Sequence, residues 1–289
     1  MLQSGIGVCV PDANEQGRIE ASSGTIAAHP ADGDYIEGAI LPTSRWLELP
    51  HKDCETMFET EAGRDPAATV KIVRLSPEIL NPFRDLRYMA RECDLEEVRR
   101  QVSRPEFSAA MRSCAKYARD QFGLNIPEET GHIVGGIRVN ARSLRTVTVH
   151  PETGKFVGMH IDNWSRLPVS QRHVAPKRIC VNLGDDVRYL LFVNFPVRHL
   201  IDEILAALAR HEGRLGGDAE QTGVRRALHP TSGVSALARA FLETHPMYPV
   251  LRLKVYPGEA YIAPTENMIH DGSSVGARGQ DVALSLREA

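Results

Sequence analysis

The chain has 289 residues, 25% of them charged and 42% hydrophobic, and its 34 basic and 37 acidic side chains leave a net charge of -3. That is an ordinary soluble composition, and with its basic residues scattered it gives no reason to expect a nucleic acid or an anionic membrane as partner. No apolar run approaches the roughly 18 residues needed to span a bilayer.

Residues 1 to about 70 are rich in Gly, Ser, Pro and acidic residues and read as irregular structure with two or three short strands. Val70 to Leu75 alternates and predicts a strand. Asp94 ahead of Leu95-Glu96-Glu97-Val98 predicts a capped helix start. Pro105 opens a second helix, Phe107 to Phe122, with Ala109, Met111, Cys114, Tyr117, Ala118 and Phe122 spaced for one apolar face and Gly123 as its stop. From residue 133 the period falls from about four to two. Strands are predicted at Thr146–Val149, Phe156–Ile161, Ile179–Leu183 and Val187–Phe195, with Leu183 to Val187 as a hairpin turn. Helical periodicity returns at Val197–Arg210, with Leu200, Ile204, Leu205 and Leu208 on one face, and at Val234–Leu242. Strands then follow at Val250–Tyr256, Ala260–Ala263 and Asp281–Arg287. This order predicts a mainly β fold with helices packed outside it. At this length a sandwich or barrel forms one domain, so residues 1–289 are expected to be a single domain.

Cys9, Cys54, Cys93, Cys114 and Cys180 are dispersed, odd in number and form no CxxC pair. Free thiols in a reducing compartment are expected. The N-terminus shows no basic stretch followed by an apolar core, so the expected location is cytoplasmic.

Two segments carry candidate chemistry: Gly158-Met159-His160-Ile161-Asp162-Asn163-Trp164 and Met268-Ile269-His270-Asp271-Gly272. His160, Asp162 and His270 are the ligand set of a 2-His-1-carboxylate facial triad, which holds Fe(II) and leaves positions open. Residues two apart on a strand point to one side, so His160 and Asp162 are expected to face one interior together. The tripeptide alone is weak: His51-Lys52-Asp53 also matches, and following Leu49-Pro50 it reads as surface. Asn163 and Trp164 are candidates for the mouth of a pocket, Trp164 equally for the core, and Arg188, Tyr189 and Asn194 for ligand contact or packing. No phosphate loop, nucleophile elbow or zinc-finger spacing is present.

The stretch around His160, the turn after it, and Tyr256-Pro257-Gly258-Glu259-Ala260-Tyr261 leading to His270-Asp271-Gly272 resemble the Fe(II)/2-oxoglutarate-dependent dioxygenases. The resemblance covers roughly residues 145 to 289, and the metal triad is its specific part. It implies a double-stranded β-helix, or jelly-roll, barrel. The core would be about 133–289, with a helical insert at 197–246 and an N-terminal helical and irregular region at 1–132. It implies a non-haem iron hydroxylase that couples oxidative decarboxylation of 2-oxoglutarate, with dioxygen, to C–H oxidation of a small-molecule substrate. A natural product or an amino-acid-like metabolite would suit. The carboxylate ligand argues against halogenation, since halogenases of that family generally lack it. A basic residue on the last strand would bind the far carboxylate of 2-oxoglutarate. Ala283, Ser285 and Arg287 share one face there, so Arg287 is the first candidate, Ser285 its helper and Arg278 the fallback. A cupin-like metal-binding barrel, an isomerase or sensor without 2-oxoglutarate, is the alternative. A metal-free binding module is a third.

Overall fold

The computed structural model describes residues 2, 4–11, 17–29, 33–58, 65–126, 135–211 and 234–288. Its strands form two facing sheets and a small hairpin, and the described strands close no barrel. The first sheet runs β1 (Gly7–Cys9), β6 (Thr69–Arg74), β11 (Glu259–Ala263), β8 (Arg178–Asn182), β13 (Asp281–Arg287), β7 (Gly135–Asn140). The second runs β12 (Met268–Ser273), β9 (Arg188–Pro196), β10 (Leu251–Val255), β2 (Ile19–Ser22), β5 (Trp46–Glu48). β3 (Thr25–Ala27) and β4 (Ile40–Pro42) pair with each other. Among the described strands β1 and β6 run parallel and the other pairs are antiparallel.

Strand alternation divides the side chains into three apolar layers. Cys180, Tyr261 and Ala283 of the first sheet meet Leu190, Phe192, Leu253 and Met268 of the second. The outer face of the first sheet, with Val181, Ile262 and Leu284, packs on helices α3 (Arg84–Glu92), α4 (Leu95–Gln101) and α5 (Pro105–Phe122). The outer face of the second, with Leu191, Val193 and Ile269, packs on α6 (Val197–His211) and α7 (Val234–Thr244) through Leu200, Ile204, Leu237 and Phe241. The earlier helices are α1 (His51–Met57) and α2 (Pro77–Leu80). Between α6 and α7 the predicted insert runs through 212–233, which lie outside the described residues. No helix among the described residues is long and apolar enough to cross a membrane.

The punctuation read from sequence forms as expected. Asp94 accepts from the Glu97 N–H at 2.8 Å and opens α4. Gly123, at φ 65°, closes α5.

Four expectations are corrected. Among the described residues up to position 68 there are five short strands rather than two or three, and β1, β2 and β5 extend the two main sheets. Thr146–Val149 and Phe156–Ile161 form no regular strands, only isolated bridges. Gly158 lies inside the second segment at φ 76°, with the Ile40 carbonyl oxygen 2.7 Å from where a Cβ would stand, and this breaks the extended backbone there. Leu183 to Val187 is not a hairpin. It is an arch, because β8 and β9 lie in different sheets. Asn182 pins it by donating to the Asp186 and Val255 carbonyls and accepting from the Gly184 N–H. Finally, a strand at Met268–Ser273 was not predicted. Its polar composition and its burial on both faces remove the alternation that marks a strand.

Glu259, in the turn sequence that follows Pro257, is fully buried and pairs with Arg18 and, at 3.3 Å, with Arg74. It also accepts the Tyr256 N–H at 2.9 Å. Arg18 is 6% exposed. Removing the carboxylate would leave its charge buried and unpaired, whereas the exposed Arg74 loses little. Glu259→Ala is expected to destabilise the fold by about 3–5 kcal/mol, read by urea denaturation; a loss below about 1 kcal/mol would contradict this account.

Candidate metal centre

His160 and His270 face each other because their backbones exchange both hydrogen bonds. His160 N–H donates to His270 O at 3.0 Å, and His270 N–H to His160 O at 2.8 Å. A register irregularity between Met268 and His270, where β12 pairs with β9, sets the aim of the second ring. The ring centroids lie 4.7 Å apart with planes inclined at 44°. Each Nδ1 lies near the carbonyl two residues earlier: His160 at 2.8 Å from Gly158 O, His270 at 3.3 Å from Met268 O. A carbonyl can only accept, so each Nδ1 carries the proton and each Nε2 keeps its lone pair for a metal.

Asp162 supplies the carboxylate. Its Oδ1 is 3.6 Å from His160 Nε2 and its Oδ2 is 3.3 Å from His270 Nε2. The three ligand groups are buried and their donor atoms lie within 4.8 Å of one another. His160 Nε2, Asp162 Oδ2 and His270 Nε2 are buried and make no hydrogen bond. Three orphaned polar atoms pointing at one spot are costly unless a cation satisfies them, and two imidazoles with a carboxylate suit Fe(II).

The segment after His160 is held by side chains. The Asp162 N–H donates to the Thr265 carbonyl at 3.2 Å. Arg172, 3% exposed, donates to the Asp162 carbonyl at 3.0 Å, to Glu266 at 2.9 Å, and to the Asn163 side chain. Glu266, fully buried, also accepts from the Ser165 N–H at 3.0 Å and the Ser165 hydroxyl at 2.6 Å. Behind the rings, Asp271 accepts from the Thr148 hydroxyl at 2.8 Å and from the Gly272 N–H at 2.7 Å.

The charges act on the ligands unequally. Burial pushes the Asp162 carboxyl up, but the Arg178 guanidinium and the two imidazoles outweigh it and hold it well below the usual carboxylate range. Burial pushes His160 down, but Asp162 and Asp271 outweigh it and raise it above the ordinary imidazole value. His270 is lowered, chiefly by burial.

Of the residues nominated from sequence, the structure brings His160, Asp162 and His270 together. Arg287 and Ser285 share the parity of Ala283, which faces the space between the sheets. The Arg287 guanidinium lies 5.1 Å from the centre of the half-buried Trp164 ring. Arg278 is exposed, its N–H tied to Asp186 at 2.9 Å. Arg188 is buried in an ion pair with Asp281. Tyr189 lies beneath Arg252, and Asn194 accepts from the Tyr248 hydroxyl. His51 and Lys52 are exposed, as read, but Asp53 is buried and accepts the Leu2 N–H.

Sequence reasoning missed Arg172, Glu266 and Arg178. Arg178 stands one residue before the predicted Ile179–Leu183 strand, in phase with Cys180 and Asn182. Its Nη2 is 3.4 Å from Asp162 Oδ2 and its guanidinium 4.1 Å from the Trp164 ring centre.

Two solved structures match this chain. Both are of asparagine oxygenase, one of them in complex with Fe(II), 2S,3S-3-hydroxyasparagine and succinate. They are 14% and 13% identical to this chain, cover 75% of it and 92% of their own length, and superpose with TM-scores of 0.29 and 0.28. At that overlap they carry neither fold nor activity to this protein. No family model and no curated protein matches.

Protons and a divalent metal compete for the same two Nε2 lone pairs. Because His160 is raised above the ordinary imidazole value and His270 is lowered, the first competing proton belongs to His160. Co(II) affinity, read from its visible absorption, is expected to be highest at alkaline pH and to fall about tenfold per pH unit once His160 takes up its proton. The decline should begin above the ordinary imidazole value of about 6.5. Affinity that stays constant down to pH 5 would exclude the two imidazoles as ligands.

Proposed function

We propose that the protein is a non-haem iron oxygenase that couples 2-oxoglutarate decarboxylation to hydroxylation, or a related C–H oxidation, of a small molecule. The observation that carries this reading is the convergence of three orphaned donor atoms, from two distant parts of the sequence, on one buried point. Dioxygen activation by Fe(II) with 2-oxoglutarate supplies the oxidant when the site is loaded.

The chain's own residues do the rest. His160 and His270 offer neutral Nε2 atoms whose tautomers are fixed by the Gly158 and Met268 carbonyls. Asp162 offers one negative charge and leaves the remaining metal positions free. Arg287, with Ser285 on the same strand face, grips the far carboxylate of 2-oxoglutarate between the sheets. The apolar inter-sheet layer, with Phe192 in register with His270, keeps water away from that side.

The strand order supports reading the core as a jelly roll and the chain as one domain. β8, β11 and β13 lie in one sheet and β9, β10 and β12 in the other, so the chain crosses between sheets four times after residue 182. His160's bridge to His270 adds its own segment at the edge of the second sheet. Such crossing is what winding a two-stranded ribbon into a sandwich requires.

Anaerobic titration of the protein with Fe(II) and then 2-oxoglutarate is expected to give a weak visible charge-transfer band, and aerobic turnover to release succinate. Asp162→Ala should lose both while its circular dichroism stays native. Iron binding with no band on adding 2-oxoglutarate would favour the cupin-like alternative, and full activity in Asp162→Ala would end the proposal.

A further inference from the structure

Arg178 and Arg287 stand directly opposite each other in the antiparallel register of β8 and β13. Both have the parity of inter-sheet residues, Cys180 on one strand and Ala283 on the other. Like charges directly opposite across a strand pair repel. Water relieves this only in part, since the Arg178 side chain is 19% exposed.

Two neighbours share the load. The Trp164 ring lies 4.1 Å from the Arg178 guanidinium and 5.1 Å from that of Arg287, so each cation is within cation–π reach of the same indole. Asp162 Oδ2 is 3.4 Å from Arg178 Nη2, but that same oxygen is also directed at the metal point. Much donor capacity is left over. Arg178 Nε is buried without a hydrogen bond. Arg287 has no carboxylate partner among the described residues. Two guanidinium forks, side by side and short of acceptors, match the oxygens of a carboxylate.

We propose that Arg178 and Arg287 form a two-guanidinium clamp for a ligand carboxylate, floored by Trp164. Arg178, shared with Asp162, couples filling of the clamp to filling of the metal centre. The coupling rests on the iron-site reading above; the clamp does not. Its sign follows from charge. With the clamp empty, Arg178 competes with a cation for Asp162. A carboxylate in the clamp draws off and neutralises that guanidinium, so a divalent metal then binds more tightly. On the reading above the carboxylate is that of 2-oxoglutarate; a carboxylate of the substrate to be oxidised is the other source of the same chemistry, and the two can be told apart.

The chain has two tryptophans, so in a Trp46→Phe background Trp164 is the sole indole reporter. Metal-free protein is titrated with glutarate, which has two carboxylates and no chelating 2-oxo end. Trp164 emission is expected to change saturably. Arg178→Gln and Arg287→Gln should each weaken glutarate about tenfold or more, as loss of a charge-assisted hydrogen bond predicts. Arg178→Lys, which keeps the charge but loses the fork, should be weakened by less and guards against a folding artefact. Without dicarboxylate, Arg178→Gln should bind Co(II) more tightly than the parent.

With Co(II) present, 2-oxoglutarate is compared with 2-oxobutyrate, which lacks the far carboxylate. If 2-oxoglutarate fills the clamp, its advantage over 2-oxobutyrate shrinks in Arg178→Gln. If the substrate fills it, that advantage persists and glutarate still binds with 2-oxoglutarate in place. Unaltered glutarate affinity in both glutamine variants, or no glutarate binding by calorimetry and emission, overturns the clamp. A clamp that works in a protein unable to bind Co(II) would instead overturn the iron reading. An Fe(II)–2-oxoglutarate band with no effect of Arg178→Gln on either titration would leave the iron reading standing alone.

Discussion

His160 and His270 exchange both backbone hydrogen bonds, at 3.0 and 2.8 Å, and the geometry of the centre depends on that exchange. A strand edge has a fixed pairing spacing, so two histidines locked as bridge partners must carry their rings side by side. Their carbonyl-bound Nδ1 atoms then leave little choice of tautomer, and both Nε2 atoms emerge on the Asp162 side. Asp162 comes from the same short segment as His160 and needs no third element to bring it in. The backbone therefore fixes two ligands and chain continuity delivers the third.

Such an arrangement is costly without a cation. Three buried polar atoms lack hydrogen bonds, and each such atom costs about 1–3 kcal/mol. The charges nearby offset only part of this. Arg178 lowers the Asp162 carboxyl and so keeps it ionised, while Asp271 acts on His160 in the opposite sense to burial. A divalent ion would satisfy all three atoms at once, which is a stronger argument for a metal than the residue types alone.

The apolar frame was legible because its periodicity is strong. β6, β8, β9, β10, β11 and β13, and helices α4 to α7, fall close to where hydrophobic spacing puts them. The triad residues were legible as residue types at suggestive spacing. The shape of their segment was not. His160 and Asp162 face one point, but through an irregular stretch closed by one bridge rather than through strand alternation. β12 escaped notice because the residues that give it a chemical role, His270, Asp271 and Gly272, are poor strand formers. The arch after Asn182 looked like a hairpin because a tight polar turn has the same composition whether the strands it joins pair or part. Arg178 and Glu266 had no sequence signal as site residues, since their roles exist only through partners distant in the chain.

The Arg172–Glu266 pair illustrates where electrostatics contributes in this molecule. A buried ion pair roughly breaks even against apolar residues of the same size, so its presence says little about stability. Its partners say more. Arg172 reaches the Asp162 carbonyl and the Asn163 side chain, and Glu266 takes both the backbone and the hydroxyl of Ser165. Together they fix residues 162 to 165, which carry one metal-directed carboxylate and the ring of Trp164, against the turn that leads into β12 and His270. An apolar pair could fill that space but could not direct the irregular backbone that regular hydrogen bonding leaves free. The directional bonds are placed where strand pairing stops, and that is where the position of a ligand has to be specified.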